Sequence, residues 1–163
     1  MRRTRQNRGR GGRDANQGQH NASQQVSAQR VFINHPIDLN TNLGEGFGPY
    51  SVQGESDILP FVTSANIACG AHAGDPGHIE AALVEVKYYG LALGAHIGYP
   101  DLQGFGRREI HLTPAELRAS ILFQLGSLSG LARTFGFEFT QVRPHGFLYR
   151  QIWHDIRTAT IVA

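Results

Sequence analysis

Residues 31–163 predict an α/β domain built on a parallel sheet. Segments of strand and helix character alternate along them, and each strand-like segment runs out into polar or ionisable residues. Alternation of this kind implies crossover connections between parallel strands, and in such sheets functional side chains gather where the strand C-termini converge.

The elements follow in order. Val31 to Asn40 reads as a first strand ending in Asp38-Leu39-Asn40. Leu59 to Cys69 carries a second apolar run, followed by Gly70-Ala71-His72. Asp75 is a candidate N-cap and Pro76 suits the first helical position. Ile79, Ala82, Leu83 and Val86 then share one helical face, and Gly90 stops the helix. Leu91 to Ile97 is a short buried strand ending at Gly94-Ala95-His96. Thr113-Pro114-Ala115-Glu116 has the form of a capping box opening a second helix. Leu117, Ile121, Leu122, Leu125, Leu128 and Leu131 continue that helix. Phe137 to Val142 leads as a fourth strand into Arg143-Pro144-His145-Gly146, and Trp153 to Ala163 forms a last helix. This reading sets Asp38, Asn40, His72, His96 and His145 at one end of one sheet.

Composition bounds the function class. The chain has 163 residues, 40% of them hydrophobic and 17% charged, which suits one soluble domain with a sizeable core. No apolar run approaches the roughly 18 residues needed to span a bilayer, so no membrane role is expected. The single cysteine, Cys69, excludes an internal disulfide and fits a reducing compartment. The net charge of +2 divides unevenly. Residues 1–30 hold seven arginines and one aspartate, or +6, and the remaining eight bases and twelve acids give −4. Residues 1–30 are Arg, Gly, Gln, Asn and Ser with one branched aliphatic, Val26, and are expected to form a disordered basic arm. A neutral extension, a targeting peptide and an RGG-like tail all fit its composition. Arg8-Gly9-Arg10-Gly11-Gly12-Arg13 has no interleaved aromatic for base stacking, so nucleic acid is not an expected partner.

Four motifs are more specific. They are Asp38-Leu39-Asn40-Thr41-Asn42-Leu43-Gly44-Glu45-Gly46-Phe47-Gly48, then Ser64 to Pro76 around Asn66-Ile67-Ala68-Cys69-Gly70-Ala71-His72, then Gly94 to Arg108 around His96, and Arg143-Pro144-His145-Gly146-Phe147-Leu148-Tyr149. In sequence and order the set resembles the signatures of the LamB/YcsF family, the A-subunits of 5-oxoprolinase, tied to lactam utilisation. The resemblance covers residues 36–150 and about half the family's length. It implies an α/β fold, a parallel (β/α) barrel of the glycoside hydrolase/deacetylase type, seven-stranded in the family and truncated here to about half. On this reading residues 31–163 are the N-terminal part of that barrel.

The resemblance also implies an activity. Such a chain would be a cytoplasmic component of an ATP-dependent 5-oxoprolinase, a cyclic amide hydrolase that opens 5-oxoproline to glutamate with partner subunits B and C. ATP would activate the amide oxygen; no G-x-x-x-x-G-K-[ST] phosphate loop occurs here, so nucleotide handling is expected to be shared with the partners. This chain itself would supply a base, donors for a developing oxyanion and an anchor for the substrate carboxylate. Asp38, Glu45, His72, His96 and His145 are the candidate catalytic residues. Asp38 is the first choice for a general base or metal ligand, with a loop-capping role as its alternative. Glu45 lies in a Gly-rich loop where backbone can approach a ligand, and its alternative is a solvated acid. The three histidines suit acid/base roles or, with Asp38, a divalent metal, although no H-E-x-x-H pattern is present. Asn40, Asn66, Arg107, Arg108, Arg143 and Tyr149 are the candidate substrate-binding residues. Asp75 reads as a helix cap and Cys69 as a small packed residue. Asn42, Arg143 and Ile97 stand where the family usually has aspartate, lysine and proline. Two other functions fit the pattern: a metal-dependent deacetylase-like or carbohydrate-acting hydrolase, and a catalytically inert scaffold.

Overall fold

The computed structural model describes residues 37–163. The basic arm of residues 1–30 and the first part of the strand expected at 31–40 lie outside them. β1 (Asn40–Leu43) connects to β2 (Ser64–Ala68) through a loop ending in a 3-10 turn at Leu59–Phe61; α1 (Pro76–Tyr89) then leads to β3 (Ala92–Ile97), α2 (Pro114–Thr134) to β4 (Gln141–Pro144), and α3 (Gly146–Ile152) and α4 (Ile156–Val162) follow. They form one sheet of order β1-β2-β3-β4 in which every pair is parallel. The expected parallel α/β architecture is therefore present, and each crossover steps to the adjacent strand without reversal. Among the described residues no helix is long and apolar enough to cross a membrane.

The two faces of the sheet differ in chemistry. Leu43, Ala65, Ile67, Leu93, Ala95 and Ile97 alternate onto one face and join Ile79, Leu83 and Val86 of α1 and Leu117, Ile121 and Leu128 of α2 in the core. The opposite face carries Asn40, Asn42, Ser64, Asn66, Gly94, His96, Gln141 and Arg143, aligned across strands by the register. Parallel strands are usually apolar on both faces because both are covered. Here amides bond to one another instead: Gln141 Nε2 donates to Asn66 Oδ1 at 3.1 Å, and Asn66 Nδ2 donates to the Asn40 and Asn42 side chains. Gly94 makes room for this row, since a Cβ there would collide with Asn66 Oδ1.

Local signals place the helices. Asp75 accepts from the His78 backbone N–H at 3.0 Å, Pro76 follows, and Gly90 ends α1 at φ +62. The Thr113–Glu116 capping box opens α2. The side of α2 that is buried is Leu117, Ile121, Gln124, Leu128 and Ala132. Leu122, expected in the apolar stripe, is 51% exposed. The helix is turned so that a glutamine, Gln124, points inward where the expected stripe has only leucine and isoleucine.

Two further boundaries differ from expectation. β1 begins at Asn40, where the sequence reading ends it: its ladder with β2 runs from Asn40↔Ser64 to Leu43↔Ile67, with Asn40 and Asn42 turned to the polar face. β4 runs from Gln141, and Phe137 and Phe139 pack against the core before the strand begins. The helix expected from Trp153 to Ala163 begins only at Ile156, where Asp155 caps α4 by accepting from the Arg157 and Thr158 backbone N–H groups, and a separate short helix, α3, precedes it.

Candidate functional site

The C-terminal ends of the four strands each deliver one ionisable side chain to a common point. The turn after β1 presents Glu45, the loop after β2 presents His72, β3 carries His96 near its end, and His145 follows β4. One donor atom from each of the four lies within 4.8 Å of every other. Glu45 Oε1 is 3.3 Å from His96 Nε2, 3.7 Å from His72 Nε2 and 3.9 Å from His145 Nδ1. His96 Nε2 and His145 Nδ1 are 3.0 Å apart. His72 stacks on His145 with ring centroids 4.0 Å apart and planes 8° from parallel, and meets His96 edge-on.

Backbone fixes these rings. His96 Nδ1 donates to the Arg143 carbonyl at 2.8 Å, and His145 Nε2 donates to the Phe105 carbonyl at 2.8 Å. Glycine lets the surrounding chain come close. A Cβ on Gly98 would lie 2.6 Å from His72 Nδ1, and one on Gly106 would lie 2.8 Å from His72 Cβ. Gly106 also has φ +63, a conformation side chains disfavour. Glu45 is held by its own backbone, whose N–H donates to Glu55 Oε1 at 3.0 Å.

Electrostatics at the cluster follow from burial and proximity. Burial acts to raise the Glu45 carboxyl, but the His72 and His96 imidazoles outweigh it and hold it at about 2. Burial lowers His72, and burial, reinforced by neighbouring His72, lowers His145 to about 4. At neutral pH the directions agree on an ionised carboxylate beside two neutral rings, His72 and His145. At 3.3 to 3.9 Å its contacts to the rings are long or oblique, and Glu45 Oε1 makes no hydrogen bond, nor does either nitrogen of His72.

A cleft of about 350 Å³ opens over the cluster, lined by Asn42, Glu45, His96, Arg107, His145 and Tyr149 among others. Arg143 lines it and also a neighbouring cleft of about 390 Å³, which runs along the polar face past Asn66, Asn40 and Asp38. Arg107 lies over the Phe105 ring at 5.7 Å. Among the described residues neither Arg107 nor Arg143 enters an ion pair. Two unpaired guanidinium groups beside a cleft suit an anionic ligand.

Two sequence expectations are corrected. Strand order sets Asp38 with the histidines, but it precedes β1 and so lies at the N-terminal end of the sheet. It is exposed, accepts from Thr63 Oγ1, and accepts from Ser64 Oγ at 2.7 Å. The bonds from Ser64 and Thr63 hold its carboxyl below the usual range. Arg108 turns away from the cleft because the buried Asp101 carboxylate takes its guanidinium as an ion pair. Asn40 and Asn66 lie along the polar face, and Tyr149 stands half-exposed on α3 at the cleft wall. Cys69 is a packed residue, its thiol pushed up to about 12 by burial, and Asp75 caps α1 as read.

Sequence reasoning misses three positioning residues. Gln124 is buried in α2 and clamps Gly98 with both ends of its amide, accepting from its N–H at 2.9 Å and donating to its carbonyl at 3.0 Å. A glutamine in the phase of Leu117, Ile121 and Leu128 is the signal that would have found it. Glu55 and Phe105 act through contacts 10 and 40 residues away in sequence, which no local pattern reveals.

Comparison with known proteins identifies the family. The model of the LamB/YcsF family matches residues 37–163. The chain is 48% identical over 127 residues to the 5-oxoprolinase A-subunit of Chloroflexus aggregans, covering 78% of this chain and 50% of that protein. It is 46% identical to the corresponding protein of Thermus thermophilus, covering 78% and 51%. The crystal structure of a lactam utilization protein, also from Thermus thermophilus, superposes with a TM-score of 0.75 at 44% identity, over 77% of this chain and 51% of that one. The chain therefore spans about half the length of the curated relatives it matches.

Proposed function

The chain belongs to the LamB/YcsF family, and on that premise we propose that it is a component of an ATP-dependent 5-oxoprolinase that opens 5-oxoproline, or a closely related γ-lactam, to glutamate. The observation that carries this reading is the convergence of Glu45, His72, His96 and His145 beneath a cleft with Arg107 and Arg143 on its walls. A γ-lactam is a resonance-stabilised amide, so its carbonyl carbon needs activation before water adds. Phosphorylation of the amide oxygen by ATP supplies that, releasing ADP. Water then adds to the carbon and gives up its proton, the C–N bond breaks, and the ring nitrogen leaves as the amine with a proton. A second water releases the phosphoryl group as inorganic phosphate and leaves the carboxylate.

The chain's residues divide these tasks by chemistry. Glu45, ionised and set among imidazoles, stands where the attacking water loses its proton, either to the carboxylate directly or with the help of an ion the cluster would hold. His96 and His145 keep their outer protons on backbone carbonyls and offer their inner nitrogens to the same point, where the attacking water is held. Arg107 or Arg143 pairs with the α-carboxylate of the substrate. The absence of a phosphate loop leaves the nucleotide to be bound jointly with subunits B and C, in a compartment that supplies ATP, the cytoplasm. The three-imidazole, one-carboxylate cluster also suits a divalent metal, which favours as a second reading a metal-dependent, deacetylase-like hydrolase that needs no ATP.

The test is glutamate formation from 5-oxoproline with ATP and both partner subunits, using this chain and a version extended to the relatives' length. Turnover by the extended form that requires all three subunits and ATP is the expected result. Substrate binding without turnover would leave an inert scaffold, and ATP-independent release of acetate from acetylated sugars would favour the second reading.

A further inference from the structure

We propose that Glu45, His72, His96 and His145 bind one transition-metal dication of the zinc class, with Glu45 Oε1 and one nitrogen from each histidine as its protein donors. The argument begins with two carbonyl groups. A carbonyl oxygen only accepts, so the contact of His96 Nδ1 with the Arg143 carbonyl fixes a proton on Nδ1. By the same reasoning the Phe105 carbonyl fixes a proton on His145 Nε2. In neutral rings the remaining nitrogens, His96 Nε2 and His145 Nδ1, carry lone pairs, and these two atoms face each other at 3.0 Å. Glu45 Oε1 adds a negative charge 3.3 and 3.9 Å from them, and His72 Nε2 stands 3.7 Å from the same oxygen. Neither Glu45 Oε1 nor His72 has a hydrogen-bond partner, although both are buried.

One shared proton would reconcile His96 with His145 and leave the other two donors as they are. A dication at the common point reconciles all four. The spacing agrees. Donors about 2.0–2.2 Å from a tetrahedral zinc lie roughly 3.4 Å from one another. Four of the six separations, 3.0, 3.3, 3.7 and 3.9 Å, bracket that value, and all six are within 4.8 Å, so a small inward turn of the rings closes the set around one ion. Three imidazoles and one carboxylate select zinc, cobalt or nickel over magnesium or calcium, which prefer all-oxygen shells. The Arg143 and Phe105 carbonyls already hold two rings by their outer nitrogens, the support metal-binding histidines require.

The site needs no substrate, so it can be tested apart from lactam turnover. The full chain, stripped of metal and titrated with Zn²⁺ against a chromophoric chelator, is expected to take up one ion per chain, to show tetrahedral-type visible bands with Co²⁺, and to ignore Mg²⁺. E45Q and H72Q preserve shape, and each is expected to weaken Zn²⁺ binding by more than about 100-fold, beyond the 10- to 100-fold loss of an outer-shell partner, with an unchanged circular dichroism spectrum. Failure of the folded wild-type chain to take up stoichiometric Zn²⁺ would overturn the proposal. So would uptake that E45Q and H72Q leave intact, or a His96–His145 shared proton seen by ¹⁵N NMR that persists in excess Zn²⁺. Metal binding without glutamate formation would support the site while removing the proposed activity.

Discussion

Asp38 and Glu45 flank the same short strand, with the four residues of β1, about 13 Å of rise, lying between them. Both carboxyl groups are held below the usual range, but for different reasons. Asp38 sits in solvent and accepts from the hydroxyls of Ser64 and Thr63, so its charge is spent on tying β1 to β2. Glu45 is half-buried among three imidazoles, and its inner oxygen has no hydrogen-bond donor. A depressed pKa alone therefore does not distinguish a structural acid from a chemical one. The partners do.

Neutralising each acid in turn separates the two roles. E45Q in the assembled, full-length enzyme is expected to lower kcat for glutamate formation by about 10²- to 10⁴-fold, the usual range for losing an acid/base group. D38N is expected to cost less than about tenfold in the same assay, since it touches no reacting group. Equal losses would remove the distinction between the two ends of the sheet.

The two faces of the sheet divide stability from chemistry in a similar way. Leu83, on the inner face of α1, is fully buried against the sheet, and Leu83→Ala is expected to cost about 2–5 kcal/mol in denaturant unfolding through the cavity it leaves. The same substitution leaves the cluster untouched, so the folded fraction should keep its kcat.

Gly98→Ala probes the boundary between the two. Its Cβ would press on His72 Nδ1, and the Gln124 clamp limits retreat of the backbone. Displacing a reacting group by about 1 Å costs about 10²-fold in rate. A matching fall in activity, measured by steady-state kinetics, with little change in melting temperature is expected, whereas an unchanged rate would show that His72 can shift freely.

The smallest effect concerns Asp75, whose carboxyl is lowered from 3.8 to about 2 by the backbone N–H groups of His78 and Gly48 and by the His78 side chain. A depressed folded-state pKa means that the ionised form is favoured by folding. Its contribution is complete above about pH 4 and is lost as the pH falls towards about 2. Thermal melts of Asp75→Asn should therefore fall less steeply than wild type across that same acid range.

Much of the fold is legible in the sequence because its signals are local. The N-cap at Asp75, the capping box at Thr113 and Glu116, the stop at Gly90 and the apolar stripe of α1 each depend on neighbours within a turn or two. The candidate site is partly legible for a related reason: in a parallel sheet every strand C-terminus lies at one edge, so strand order alone places His72, His96 and His145 together. Asp38 is misplaced by that reasoning because the polar residues of β1 hide its boundary, which sets the strand too early and assigns its acid to the wrong end. Arg108 is misassigned because Asp101, seven positions away across a loop, competes for it.

A parallel α/β domain, the bounds of α1 and the start of α2, and the edge at which three histidines meet all follow from the amino-acid order. Folding in three dimensions is what brings Glu45 rather than Asp38 to their cluster, sets the ring protons through the Arg143 and Phe105 carbonyls, and makes Gln124 hold Gly98 against His72. Those outcomes depend on contacts between residues roughly 10 to 50 positions apart, whose distances are fixed by how strands and helices pack and leave no periodicity in the chain.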